Sequence, residues 1–123
     1  MKMIHTENAP AAIGPYSQAM VSGGFVFTSG QIPVDPATGN LVTGDIAAQA
    51  EQVMQNLRAV LDAAGSGLEK AVKATCYLAS MDDFAAFNAV YGRYMTNKPA
   101  RSCVAVKTLP KNVLCEVEAI AEV

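Results

Sequence analysis

Residues 44–64, "GDIAAQAEQVMQNLRAVLDAA", hold the longest helical period in the chain. Ile46, Val53, Leu57, Val60, Leu61 and Ala64 recur at the spacing that lines one helix face. Gly65 follows where a left-handed residue ends the last turn. A helix with a single apolar stripe has to bury it against a second layer, so the rest of the chain must provide that layer.

Segments of period two provide it. "GPYSQAMV" sets Tyr16, Gln18 and Met20 against Ser17, Ala19 and Val21, "SGG" reads as a turn, and "FVFTSGQI" as the returning strand. "PVDPATGN" is a loop with a tight turn at Gly39. Residues 71–79, "AVKATCYLA", alternate as a strand, and "SMDD" at 80–83 has the form of a capping box that opens a second helix. Phe84, Phe87, Tyr91, Tyr94 and Met95 make the stripe of that helix, and Pro99 forbids its continuation. Two strands follow, roughly 102–107 and 113–122, read as a closing hairpin. The order predicts one α+β domain over residues 1–123, a mixed sheet with both helices on one face.

The opposite face of such a sheet lacks a cover within the chain. Ala19, Val21, Cys103, Ala105, Cys115 and Val117 are its expected residues. Charged residues are only 16% of the chain and hydrophobic ones 51%, little charge for a small domain with much surface. Packing against sister copies, with cyclic symmetry making the interfaces equivalent, would bury that face.

The same composition narrows function. A net charge of −2 and the lack of any Lys/Arg cluster argue against binding nucleic acid through its phosphates. No apolar run approaches the roughly 20 residues of a membrane span, and the N-terminus has no apolar signal core, so a cytoplasmic location is expected. Three cysteines without CxxC spacing and one histidine, His5, leave no pattern for a disulfide framework, a zinc site or a Ser-His-Asp triad.

The chemistry-bearing residues gather near the C-terminus. Arg101 offers a planar fork of donors suited to a carboxylate, and it sits at a strand entrance where its tip can reach a cleft. Arg101, Cys103 and Ala105 share a strand face, and a hairpin centred on "LPKN" would set Cys103 nearly opposite Glu116. Glu116 and Glu118 share a face with Leu114 and Ile120, where burial would raise a carboxyl pKa toward a range useful for proton transfer. From the residues alone, both acids are also readable as solvated, or one of them as a simple partner of Arg101. Cys103 is readable as a small buried hydrophobe. Asn88, on the apolar stripe of the second helix, is expected to be a buried amide in need of partners. At the other end, Tyr16 and Ser29 supply hydroxyls, and Gly14 and Gly30 allow close approach of bare backbone.

"ENAPAAIGPYSQA", "TSGQIPVDPATG", "DFAAFNAVY", "PARSCVAV" and "LPK…EVEAIA" together resemble the reactive-intermediate imine and enamine deaminases of YjgF type, over nearly the whole chain and in the same order. The resemblance implies a chorismate-mutase-like fold and a homotrimer whose sheets face a central barrel, with three clefts between subunits. It implies that Arg101 binds a substrate carboxylate and that Tyr16, Ser29, Gly30, Asn88, Cys103 and Glu116 line the cleft. The implied substrates are 2-imino acids and their enamine tautomers, hydrolysed to 2-keto acids and ammonia without cofactor or metal, with Glu116 relaying protons. Arg101, Cys103 and Glu116 are expected from a single chain, and at least one of Tyr16, Ser29 and Asn88 from its neighbour. "YMTNKPARS" is shorter than the corresponding stretch of many relatives, which bears on the cleft rim. Competing readings are a non-catalytic module that senses 2-keto acids, and the ribonuclease or chaperone-like roles described for some members.

Overall fold

The computed structural model describes all residues, 1–123, as one six-stranded sheet with two helices against one face. The strands are β1 (Lys2–Ile4), β2 (Ala19–Ser22), β3 (Phe25–Thr28), β4 (Ala71–Leu78), β5 (Ala100–Ala105) and β6 (Cys115–Glu122), and the helices are α1 (Ile46–Ala63) and α2 (Phe84–Tyr94). Across the sheet they run β1-β2-β3-β6-β4-β5, with β4 and β5 parallel and all other pairs antiparallel.

Local chemistry sets most of these elements. Gly23 and Gly24, at φ 61° and 83°, form the two-residue turn between β2 and β3 that requires positive φ at both positions. Asp45 caps α1 by accepting from the Ala48 N–H at 3.0 Å. Gly65 ends the same helix at φ 77°, with Ser66 N–H donating back to Leu61 O. Ser80 caps a 3-10 turn (Met81–Asp83) through the Asp82 N–H at 3.1 Å, and α2 starts only after that turn. The reciprocal bond of a capping box is not made.

The core lies between the helices and the sheet. Val53, Met54, Leu57, Val60 and Leu61 of α1 are fully buried, each side chain stabilising the fold by about 1.5–3 kcal/mol. They meet Ala74, Cys76 and Leu78 of β4 and Cys115, Val117, Ala119 and Ala121 of β6. Asn56, also buried, donates to the carbonyls of Ile32 (3.1 Å) and Val34 (2.9 Å) and so pins the 31–44 loop to α1. Buried Gln18 does the same at the N-terminus: its amide donates to Thr6 and Pro10 carbonyls and accepts from the Thr6 N–H at 2.7 Å.

Three expectations are corrected. The last two strands are not a hairpin, because β4 lies between them: Cys76 pairs with Cys103 on one side and Val117 on the other. The helix α2 between β4 and β5 makes a parallel crossover, which carries β5 to the sheet edge. Second, the uncovered face is the opposite set from the one expected. Ala19, Cys115 and Val117 are buried beneath the helices, and Val21 and Cys103 pack against the same core. Ala105, in register with buried Leu78, lies on that side too. The open face carries Met3, Phe25, Phe27 and Val104, all exposed, with Glu116, Glu118 and Ile120 between them. Third, β1 pairs with β2 to add a strand that the three residues of "KMI" are too short to announce.

Candidate functional site

Arg101 is placed by α2. Its guanidinium lies over the Tyr91 ring at 4.7 Å from the centroid and near the Phe84 ring at 5.6 Å. Its Nη1 donates to Asn88 Oδ1 at 2.6 Å. Phe84, Asn88 and Tyr91 follow at helical spacing, four and then three residues apart, so one stripe of α2 presents two rings and an amide to the arginine. Asn88 is therefore exposed rather than buried, and its partner is the guanidinium. The single ion pair of the protein joins Arg93 to Glu51, which leaves the fork of Arg101 without a carboxylate. A hollow of about 630 Å³ opens beside it, bordered by Tyr91, Met95, Lys98 and Pro99. The short 95–99 connection forms its rim, tied down by Asn97 donating to Ala71 O at 2.8 Å.

The second group of candidates lies elsewhere. Gln31 N–H donates to Val117 O at 2.9 Å and Val117 N–H to Gln31 O at 3.2 Å, laying residues 29–31 along β6 beside Glu116. A Cβ added to Gly30 would fall 2.7 Å from Glu116 Cδ and closer still to Oε2, so the carboxylate occupies the space that the glycine leaves. Burial, and then the charge of Glu118, push the Glu116 carboxyl above its ordinary value. Glu118 itself accepts from the Tyr77 hydroxyl at 3.0 Å. Ser29 donates its hydroxyl to Ser17 O and its N–H to Gln18 O, fixing the segment that carries Tyr16. Tyr16 is exposed and shares a hollow of about 530 Å³ with Gly30, Ile13 and Lys111.

The expected residues thus fall into two groups on opposite faces of the sheet. Arg101, Asn88 and Cys103 sit on the helix side at one sheet edge. Glu116 projects from the opposite face: Arg101 is in register with Ala74 and Ala119, on the face where Ala119 is buried, whereas Glu116 has the other parity. The two are two strands and three residues apart, roughly 10 Å in each direction. The expectation that Cys103 lies nearly opposite Glu116 fails for this reason: β4 separates their strands, and the two side chains leave opposite faces of the sheet. Tyr91 is buried in the core and Phe84 packs against it, as the stripe of this helix predicts; their further role as the seat of the arginine is signalled only by their spacing about Asn88.

The profile of the family described as Endoribonuclease L-PSP matches residues 6–123. A RutC family protein of Pyrococcus horikoshii is 54% identical over 121 residues, covering 98% of this chain and 96% of that protein. A 2-iminobutanoate/2-iminopropanoate deaminase of Salmonella typhimurium is 52% identical, covering 98% and 96%. The crystal structure of Escherichia coli TdcF with bound serine superposes with a TM-score of 0.95 at 43% identity, covering 100% of both chains. With relatives more than half identical along nearly its whole length, the chain belongs to the endoribonuclease L-PSP family, the YjgF-type family that its motifs resemble.

Proposed function

We propose that the protein hydrolyses 2-imino acids and their enamine tautomers to 2-keto acids and ammonia, in clefts formed between copies of the chain. The observation that carries this reading is Arg101, a guanidinium seated on an aromatic ring and an amide with its fork free of any protein carboxylate. Such a seat preserves the planar donors for a two-point grip on a small acid. The deaminase name of one relative, and serine in the TdcF structure, support a small amino-acid-like ligand.

Glu116 supplies the complementary group. Held partly buried against Gly30, it has a raised pKa and so takes up and releases protons nearer neutrality than an ordinary carboxyl. In the proposed reaction its protonated form donates to the imine nitrogen, and its carboxylate then takes a proton from the attacking water. Water adds to the imine carbon, the carbinolamine collapses with loss of ammonia, and the carbon–nitrogen double bond becomes a carbonyl. Positioning supplies much of the acceleration. Tyr16 and the 29–30 backbone orient the substrate, Asn88 holds the arginine, and Cys103 shapes the floor beneath it.

One chain does not bring Arg101 and Glu116 to one small ligand, so the second half-site comes from a neighbour. The open sheet face with Phe25, Phe27 and Val104 exposed is the apolar surface that a cyclic homotrimer would cover. The test generates 2-iminobutanoate in situ with an amino-acid oxidase and follows its disappearance. Wild-type protein should accelerate hydrolysis and folded Arg101→Ala should not. Equal rates for the two would end the proposal, and keto-acid binding without turnover would favour a sensing module.

A further inference from the structure

Cys76 of β4 and Cys103 of β5 are direct partners across two parallel strands, on the same face of the sheet. Neighbouring strands lie about 4.8 Å apart, inside the roughly 4.4–6.8 Å Cα window that a disulfide spans. Cys76 and Cys103 stand directly opposite each other in the strand register, with Ala74 and Arg101 before them and Leu78 and Ala105 after. They differ in access: Cys76 is fully buried, whereas Cys103, on the edge strand and two residues from Arg101, is partly exposed. The remaining cysteine, Cys115, pairs with Leu78 and so lies diagonal to Cys76, at the roughly 7–8 Å of diagonal neighbours and beyond that window.

We propose that Cys76 and Cys103 are an oxidation site: a dithiol that hydrogen peroxide converts into a reversible disulfide within one chain. Cys103 is the sulfur oxidised first. Burial raises its pKa, and the charge of Arg101 works in the other direction. Cys76, pushed up to about 12 by burial, stays a thiol. The Cys103 sulfur displaces hydroxide from the peroxide, and the proton lost from its thiol joins that hydroxide as water. The Cys103 sulfenic acid is left. The Cys76 sulfur then attacks the Cys103 sulfur, the S–O bond breaks, and the Cys76 proton leaves with the hydroxyl as a second water. Two thiols lose two electrons and one peroxide gains them. A resolving thiol opposite it on the neighbouring strand traps the sulfenic acid before a second peroxide carries it to the irreversible sulfinic stage.

Peptide mapping decides it. Wild-type protein is treated with hydrogen peroxide, alkylated in denaturant without reductant, digested and analysed by mass spectrometry. The expected product is a Cys76–Cys103 linked peptide pair, lighter by two hydrogens, at monomer mass on a non-reducing gel and reversed by dithiothreitol. Cys115→Ala should give the same link. Cys76→Ala should instead carry Cys103 to sulfinic acid. Both thiols still alkylated after excess peroxide, a link to Cys115 or between chains, or sulfinic Cys103 in the wild type would each overturn the assignment. The wild-type map is sufficient even if Cys76→Ala does not fold.

Discussion

Gly30→Ala is the sharpest test of how Glu116 is held. The glycine is not one of those with left-handed φ, so its backbone accepts alanine without strain. The new methyl would lie 2.7 Å from Glu116 Cδ, against about 3.5 Å for ordinary carbon contact, so the carboxylate must withdraw by roughly 1 Å. It can do so, because the obstacle is the end of a flexible side chain and not backbone. The fold should therefore survive, with stability within about 1 kcal/mol of wild type in chemical denaturation. Activity should not: a displacement of this size at a reacting group costs about 10²-fold in turnover, or about 2.7 kcal/mol of barrier. The assay is hydrolysis of 2-iminobutanoate generated in situ, compared with Glu116→Gln and with the double variant. If both changes act through one carboxylate, the double variant is no worse than Glu116→Gln alone. A folded Gly30→Ala protein with wild-type turnover would refute the reasoning, since the carboxylate would then have no catalytic place to lose.

The split site gives a second prediction: Arg101→Ala and Glu116→Gln chains, each inactive, should regain activity when unfolded and refolded together, with about a quarter of clefts pairing two unmutated walls. Arg101→Ala mixed with an inactive Asn88 variant should stay inactive, and the reverse pattern would place Arg101 and Glu116 in one chain. The raised pKa of Glu116 means that the native state holds its proton more tightly than the unfolded chain, so this residue costs stability as pH rises from the ordinary 4.5 through the folded value. Glu116→Gln should remove that loss, and denaturation curves across this window in which both proteins fall equally would contradict the shift. Tyr91→Phe should stabilise the protein by about 1 kcal/mol, because the Tyr91 hydroxyl is buried without a hydrogen-bond partner; destabilisation in urea would show that the hydroxyl is bonded.

Elements with a local cause were legible in the sequence. The stripe of α1, its Gly65 stop and the alternation of β4 each follow from residues within a few positions of one another. The pairing of β5 was not, because a short loop between two alternating segments reads as a hairpin, whereas the actual partner lies across α2 and 27 positions back, as Cys103 with Cys76 shows. That error carried the face assignment with it, since exchanging the neighbours of β6 changes which residues can meet Glu116. The matched motifs point to particular residues, but which face of the sheet and which edge each occupies depends on strand order, which the motifs do not give. Asn88 illustrates the limit: helical spacing put it on the right stripe, but only the position of Arg101 shows that the stripe runs out to the surface there.

Strand order also bears on how the molecule is made. β6 pairs with β3 and β4, yet it lies later in the chain than every strand it joins. Until it arrives, the β1–β3 meander and the β4–α2–β5 unit have no hydrogen-bonded strand in common. During synthesis these two parts must wait as separate, incomplete sheets, with the β3 and β4 edges that β6 will occupy unpaired. Such edges are where chains associate wrongly, and pairing across this sequence separation is slow. Folding of this sheet is therefore a closing step, in which one late strand completes both halves at once.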